Sequence, residues 1–281
     1  MNPLALQKNK FLLVLLLVGG IMFSCSSPQE EVSESIPKKD VYIFVDSYHL
    51  KADRILELQE ELMTCLERQK NKAAVMDIKI FPLNCETINS QSLVTCNINQ
   101  AEATQLKKRS SNTYKKVKGR WKEQTENLQA QDPGCVKIID SFYKLKSLLH
   151  GINDTSRETK VLYITNWLEI DSENNVTEDQ YRFIGSCSGG ICEFDEAGLD
   201  EAMKSLDKVD SKLYHYTEAL YEFLADSQKE PVKIYHIPSN SIQLNKDGDT
   251  DLKNNRFWDE AFKRAHLKRV QINSIAAFLE S

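Results

Sequence analysis

The sequence predicts an α/β protein, a three-layer α/β/α sandwich with a mainly parallel central sheet. Short apolar runs rich in β-branched and aromatic residues alternate with longer segments whose apolar residues recur at helical spacing. The connections between successive core strands are long enough to hold crossover helices, which parallel strands require. Residues 40–281 can bury one substantial core and do not require two, so we expect a single domain there.

The first core strand is predicted at residues 41–45, where an uninterrupted apolar run precedes Asp46. Such a run is typical of a strand that is buried on both faces of a sheet. Later runs of the same kind are expected to end at Pro82 and Pro238, because proline has no amide donor for a sheet ladder. Further core strands are predicted at 77–81, 160–165 and 232–237, and weaker strands at 92–96 and, on a sheet edge, at 267–272.

Apolar residues at intervals of three and four predict the helices. A basic run from Lys107 to Lys122 lies in one of them, with Tyr114 and Trp121 interleaved. Because both aromatic residues share a helical face with Val117, we interpret them as core residues and the charges as the solvated face. The alternative is a surface that attracts an anionic polymer or lipid. The predicted helices are 51–70, 100–131, 135–149, 196–225 and 255–265.

The amino terminus has the pattern of a secretion signal. Lys8 and Lys10 precede an apolar run at residues 11–23, which is shorter than the about 20 residues that a membrane-spanning helix needs. The run ends in Met22-Phe23-Ser24-Cys25, which resembles a bacterial lipobox with Met22 where leucine is usual. The resemblance implies that residues 1–24 are a signal peptide and that Cys25 is acylated after cleavage. We therefore expect a protein anchored by lipid to a bacterial membrane, facing the periplasm or the cell surface.

Residues 25–39 are polar and rich in serine, with Pro28 and Pro37, and are predicted to form a flexible tether. Glu30-Glu31 resembles the surface-export signals of lipoproteins from the Bacteroidota. Removal of residues 1–24, which contain two lysines and no acidic residue, changes the formal net charge from −5 to −7. This acidic balance argues against nucleic acid as a partner.

Six cysteines remain after Cys25, and their pairing is not readable in general. Gly189-Gly190 between two apolar segments predicts a β-hairpin, which a disulfide between Cys187 and Cys192 would clasp as a small insertion. Cys85 and Cys96 flank another loop and are the second candidate pair. A zinc site is not expected, because it needs two closely spaced pairs of cysteine or histidine.

Polar residues follow two of the core strands. Asp46-Ser47 and Thr165-Asn166 come at strand carboxyl ends, where open α/β sheets bind their ligands. A strand ending in Asp-Ser and a later strand ending in Ile-Thr-Asn resemble the von Willebrand factor A-like domains, a Rossmann-like fold. The Phe257-Trp258 helix followed by an edge strand is similar to the ends of some bacterial members.

In that family an Asp-x-Ser-x-Ser motif, a threonine of a middle loop and a later aspartate hold a divalent ion. Here Tyr48 and Leu50 stand at the two serine positions, Asn166 replaces the later aspartate, and residues 133–135 offer no threonine. We therefore expect neither a working metal site nor a cofactor. Asp46 and Asn166 are interpreted as caps of loops and helix ends, with a metal-free polar contact surface as the alternative. Residues 245–251 superficially suggest a calcium loop, but the register fails and a solvated turn is expected.

No catalytic signature is found among the five scattered histidines. We therefore favour a binding or scaffolding module of the cell envelope over an enzyme. The partner is left open among an envelope protein, a glycan and peptidoglycan. The alternative is an envelope hydrolase with Asp46 as its acid.

Overall fold

Strands and helices alternate along the chain in the computed structural model. It describes residues 38–46, 50, 52–68, 75–98, 111–126, 135–150, 157–169, 184–188, 191–227, 231–239, 243–244 and 248–281. The strands are β1 Lys38–Asp46, β2 Val75–Leu83, β3 Val94–Ile98, β4 Arg157–Ile164, β5 Ile184–Ser188, β6 Ile191–Phe194, β7 Val232–Ile237, β8 Gln243–Leu244 and β9 Leu267–Gln271. The helices are α1 Ala52–Arg68, α2 Asn112–Glu126, α3 Ile138–His150, α4 Glu196–Ser205, α5 Lys212–Ser227, α6 Gly248–Arg264 and α7 Ile275–Glu280.

Six strands form the main sheet in the order β3-β2-β1-β4-β7-β9. The neighbouring strands β2, β1, β4, β7 and β9 pair in parallel. Within this sheet, only the edge strand β3 runs antiparallel to its neighbour. Counted within this sheet, the order is the 3-2-1-4-5-6 order of doubly wound folds, which reverses between β1 and β4. The predicted α/β class with a mainly parallel sheet is confirmed, and β9 lies on an edge as expected.

Helices cover both faces of this sheet. We call the face packed by α3, α4, α5 and α6 the α3 side, and the face packed by α1, α2 and α7 the α1 side. In β1, Tyr42 and Phe44 point to the α3 side, whereas Val41, Ile43 and Val45 point to the α1 side. This alternation makes every position from Val41 to Val45 a core position, because each face has its own helices to pack against.

Helix α2 confirms the interpretation of the basic run for the part of it that the structure describes. Tyr114, Val117 and Trp121 are buried on the α1 side, and Lys115 and Lys116 are exposed. Lys118 forms an ion pair with Glu60 of α1. The remainder of the predicted helix at 100–131 lies outside the described residues.

The helix expected at 196–225 is wrong as a single element, because it divides into α4 and α5. Ser211 accepts a hydrogen bond from the amide of Tyr214 and donates one to the carbonyl of Ser205, so it begins a new helix. Arg264 of α6 donates to the carbonyl of Leu206 at 2.6 Å, which satisfies an acceptor at the end of α4. The apolar period continued across this break and concealed it.

Two further corrections concern the end of the sequence. Residues 248–251, expected in a solvated turn, form the first turn of α6, and residues 245–247 lie outside the described residues. Helix α7 follows β9 where no element was predicted. Ser274 caps it by accepting from the amide of Ala277, and Ile275 and Phe278 are buried.

The small hairpin is present, since β5 and β6 pair antiparallel with Cys187 opposite Cys192, and β8 joins β6. Opposed positions suit a disulfide, and that bond stays a prediction. The expected pairing of Cys85 with Cys96 is wrong, because Cys85 is bonded to Cys135. Proximity in sequence misled here, since a loop before α3 folds back onto the end of β2.

Pro37–Ser281 form one compact unit. The predicted signal peptide, Cys25 and nearly all of the tether lie outside the described residues. Within the part of the chain that the structure describes, no helix is long and apolar enough to cross a membrane.

Candidate binding site at the carboxyl edge

The carboxyl ends of β1, β4 and β7 meet at one edge of the sheet, which we call the carboxyl edge. The three strands are parallel, and Val45 pairs with Ile164, which lies beside Ile237 in the register. The strand order reverses between β1 and β4, so a crevice is expected where their helices turn to opposite faces. Ligands of doubly wound folds bind at such a point.

Asp46 is the last residue of β1 and is only 3% exposed. By the alternation of the strand it follows Tyr42 and Phe44 to the α3 side. Ser47 and Tyr48 lie outside the described residues. Leu50, at the second serine position of the family motif, is buried among the core residues of the α1 side, so this position serves packing.

Thr165 holds the strand ends together. Its amide donates to the carbonyl of Ile237 at 3.3 Å, and its carbonyl accepts from the amide of Ser239 at 3.4 Å. Its hydroxyl oxygen accepts from the amide of Trp167 at 3.2 Å. Asn166 is half-buried beside it. Thr165 therefore acts within the fold, by joining the exits of β4 and β7.

Trp167 closes the carboxyl edge on the α3 side. Its backbone has a φ of 58°, a left-handed conformation that is costly for a bulky residue and persists where the surroundings enforce it. The carbonyl of Trp167 accepts from the indole Nε1 of Trp258 at 2.7 Å. Its ring centroid lies 5.3 Å from that of Tyr163 and 5.0 Å from that of Phe262.

Glu169 continues this chain segment and caps α3. Its Oε2 accepts from the amides of Ile138 at 2.6 Å and Ile139 at 3.1 Å. These amides belong to the first turn of α3, where the backbone has no acceptor of its own. Burial, with the nearby charge of Asp140, raises the pKa of Glu169 to about 8, while Lys137 and the two amide bonds oppose the rise. Asp140 is itself ion-paired with Lys212 at 2.5 Å.

His236 of β7 is the buried histidine of this edge. Its Nε2 lies 2.8 Å from the carbonyl oxygen of Thr165, so that nitrogen donates the hydrogen bond. Burial lowers the pKa of His236 to about 4; the bond to Thr165 opposes this change, and the charge of Arg269 adds to it. The imidazole is therefore neutral at neutral pH and serves as a fixed donor.

The disulfide between Cys85 and Cys135 also lies at this edge. Cys85 follows β2 and Cys135 precedes α3, with a sequence separation of 50. Closing a loop of that length stabilises a fold by about 4 kcal/mol in the chain-entropy model. The disulfide ties the start of α3 to the segment after β2, and Glu169 ties the first turn of α3 to the segment after β4.

The α1 side of the same edge is open. A pocket of ≈ 200 Å³ lies between the ends of β1, β4 and β7, the start of α1 and the segment before α7. Its walls are apolar and polar in equal measure, with the aliphatic surface coming mainly from the strand ends and the polar groups from α1 and from the segment before α7. The described residues that line it are Val45, Arg54, Ile55, Glu57, Leu58, Glu61, Ile164, Ile237, Pro238, Asn273, Ser274 and Ile275.

The charged groups of this pocket are unequally partnered. Arg54 and Glu57 form an exposed ion pair at 2.5 Å. The Oε1 of Glu61 accepts from the amide of Ile275 at 3.2 Å, and within the described part of the chain no cation pairs with it. The pocket thus carries one formal negative charge that is not balanced by a side chain.

The alternation of their strands places Asp46 and Thr165 on the α3 side of the sheet, whereas the pocket lies on the α1 side. Among the described lining residues there is neither Asp46 nor a histidine. No group of three or more His, Cys, Asp or Glu side chains that could hold a metal ion exists among the residues that the structure describes. Sequence reasoning missed Glu57 and Glu61, although their spacing of four in the helix after β1 indicates one face near the strand end.

No protein-family model matches this sequence, and no curated protein matches it significantly. Among solved structures, the chain is similar to the pilus adhesin SpaC from Lactobacillus rhamnosus GG in its open conformation, with a TM-score of 0.28 and 10% sequence identity. The match covers 82% of this chain and 30% of the adhesin, so the chain spans less than a third of that protein. A likeness this weak carries no argument about function.

Proposed function

We propose that this chain is a lipid-anchored bacterial envelope protein whose von Willebrand factor A-like domain binds a partner at the carboxyl edge. The anchor is supported by the Lys8 and Lys10 start, the apolar run at 11–23 and the Met22-Phe23-Ser24-Cys25 sequence. The domain is a binding module in this proposal, without a working ion site. Its partner is another component of the envelope.

The family assignment is supported by where the resembling residues fall. The strand that ends in Asp46 is central, and the strand followed by Thr165-Asn166 is its direct neighbour. The two segments quoted for the resemblance therefore flank the point where the strand order reverses. Their burial and internal hydrogen bonds, together with buried Leu50, support a domain in which this constellation serves the fold.

The observation that carries the binding proposal is the pocket on the α1 side. It lies at the position where doubly wound sheets receive ligands, and its walls combine aliphatic and polar side chains. The hydrolase alternative drew on Asp46, which is not among the described lining residues. Glu57 is ion-paired with Arg54, and one oxygen of Glu61 accepts from the amide of Ile275.

Blocking the pocket tests the binding site. Asn273 is exposed at the pocket, so Asn273→Trp places a large ring over the opening without changing the core. Crosslinking and pull-down from the native envelope should recover a specific partner with the unchanged protein and lose it with this variant. Asn112→Trp, at an exposed asparagine that begins α2, is the matched control and should retain the partner. Retention by Asn273→Trp would refute binding at this edge.

Mass spectrometry tests the anchor. The amino-terminal peptide of the mature protein should begin at Cys25 and carry acyl chains. Cys25→Ser should release the protein from the membrane fraction. A mature protein that begins elsewhere, or a Cys25→Ser variant that stays membrane-bound, would contradict the anchor.

A further inference from the structure

We infer that the pocket at the carboxyl edge receives a single lysine side chain from a partner polypeptide. This inference rests on the proposed function and names the chemistry of the group that would enter. It is argued from the size of the pocket, the nature of its walls and the charge of its rim.

The size of the pocket fits one side chain. Its volume of ≈ 200 Å³ exceeds the about 150 Å³ of an apolar cavity that holds benzene and is below the about 300–1,000 Å³ typical of sites for whole small-molecule ligands. The lining residues Val45, Leu58, Ile164, Ile237 and Ile275 are aliphatic.

Those walls suit the stem of a long unbranched side chain. Lysine carries four methylene groups that can lie along apolar surface while its ammonium group reaches a polar rim. The inner surface is formed by residues that are buried in the core of the α1 side, including Ile55, Leu58 and Ile275. A stem placed there removes apolar surface from water on both partners.

The charge of the rim selects a cation. Arg54 and Glu57 neutralise each other, which leaves the carboxylate of Glu61 as the net charge of the pocket. Only one of its oxygens accepts a described hydrogen bond, from Ile275. Because Oε1 is engaged by this bond, Oε2 is the oxygen that faces a ligand, and one oxygen suits a compact ammonium group better than a guanidinium fork, which gains most from two aligned acceptors.

A pair of peptides that differ by one ammonium group tests the inference. The probes are acetyl-Gly-Lys-Gly-amide and acetyl-Gly-norleucine-Gly-amide, since norleucine keeps the stem and lacks the charge. Binding at millimolar peptide is followed by NMR of the full chain purified in detergent. We expect the lysine peptide to bind about fivefold more tightly at low salt, and the difference to shrink as salt is added.

Glu61→Gln is the diagnostic variant. A glutamine oxygen can still accept from the amide of Ile275, so α7 should stay in place and the melting temperature should change little. The lysine peptide should then bind no better than the norleucine peptide. Glu218→Gln, at an exposed glutamate of α5, should behave as the unchanged protein. Equal binding of the two peptides to the unchanged protein, or an undiminished preference in Glu61→Gln, would overturn the inference.

The two proposals fail in different ways. If Asn273→Trp loses the envelope partner and Glu61→Gln keeps it, the binding site stands and the lysine inference is wrong. If Asn273→Trp keeps the partner, the proposed function at this edge is wrong. Loss in both variants, with a preference for the lysine peptide, supports both.

Discussion

On the α3 side of the sheet, the carboxyl edge is closed by groups that bond to one another, whereas on the α1 side it stays open as a pocket. Thr165, Trp167, Glu169 and His236 are buried, and the described bonds of these residues end within the fold. On the other side Glu61 has an unbalanced charge beside aliphatic walls. The comparison teaches that the most polar segment at a strand end need not be the binding site, because its polar groups can be engaged in hydrogen bonds within the fold.

The largest expected difference comes from truncating one core side chain on each side of the sheet. Trp258→Ala should lower the free energy of unfolding by about 3–5 kcal/mol, because it leaves a large cavity and removes the donor to the carbonyl of Trp167. Leu58→Ala, beside the pocket, should cost about 2 kcal/mol, since its side chain already faces open space. Urea denaturation measures both. Equal losses would show that the two sides are equally packed.

A second difference is the response to acid. The folded pKa of His236 is about 4 against an ordinary value of 6.5, so the unfolded chain binds this proton more readily. The stability due to His236 is therefore present above pH 6.5 and lost as the pH falls towards 4, by about 3 kcal/mol.

His236→Gln keeps a donor for the carbonyl of Thr165 and should flatten that slope. The exposed His215→Gln is the control and should leave the slope unchanged. Denaturation series between pH 4 and pH 7 measure the two curves. A slope that is the same in His236→Gln as in the unchanged protein would place the acid response elsewhere.

A smaller contrast is expected between two glutamates that accept from helix amides. Glu169→Ala leaves the amides of Ile138 and Ile139 buried without that acceptor, which should cost about 1–3 kcal/mol. Glu61→Ala exposes one amide near water and should cost less than about 1 kcal/mol. Paired thermal melts test this, and a larger loss in Glu61→Ala would reverse the comparison.

The smallest effect is the response to divalent ions. A ligand at 100 times its Kd stabilises the folded state by about 2.7 kcal/mol, or several degrees for a domain of this size. Because Tyr48, Leu50 and Asn166 stand where the proposed family has ion ligands, millimolar Mg²⁺, Mn²⁺ or Ca²⁺ should raise the melting temperature by less than about one degree. The disulfides must stay oxidised during the measurement. A clear rise that disappears in Asp46→Ala would mean that the chain builds an ion site after all.

The sheet was predictable because its central strands are buried on both faces, which leaves uninterrupted apolar runs such as 41–45. The break at Ser211 was missed because the apolar period of α4 and α5 stays in phase across it. Its signal was local, a serine that caps the next helix. The partner of Cys85 was not predictable, since Cys135 is distant in the chain and comes close only once α3 docks.

The candidate site was predictable only in its location. The polar residues at the strand ends indicated the carboxyl edge. Which side of the sheet stays open there depended on how the segment with Trp167 and Glu169 folds back. The pocket needs Glu61 from one helix and Asn273 from a segment more than two hundred positions later. No single stretch of sequence carries that pairing.

The position of β1 has a consequence for how the chain folds. This strand is the first of the domain, yet it lies at the centre of the sheet, between β2 and a strand whose Ile164 pairs with Val45. Non-local pairing of this kind slows folding. Until β4 pairs with β1, the apolar segment from Val41 to Val45 exposes an unpaired edge, which is a template for aggregation. A chain that emerges amino terminus first should therefore depend on a chaperone that shields this segment until the middle of the domain has emerged.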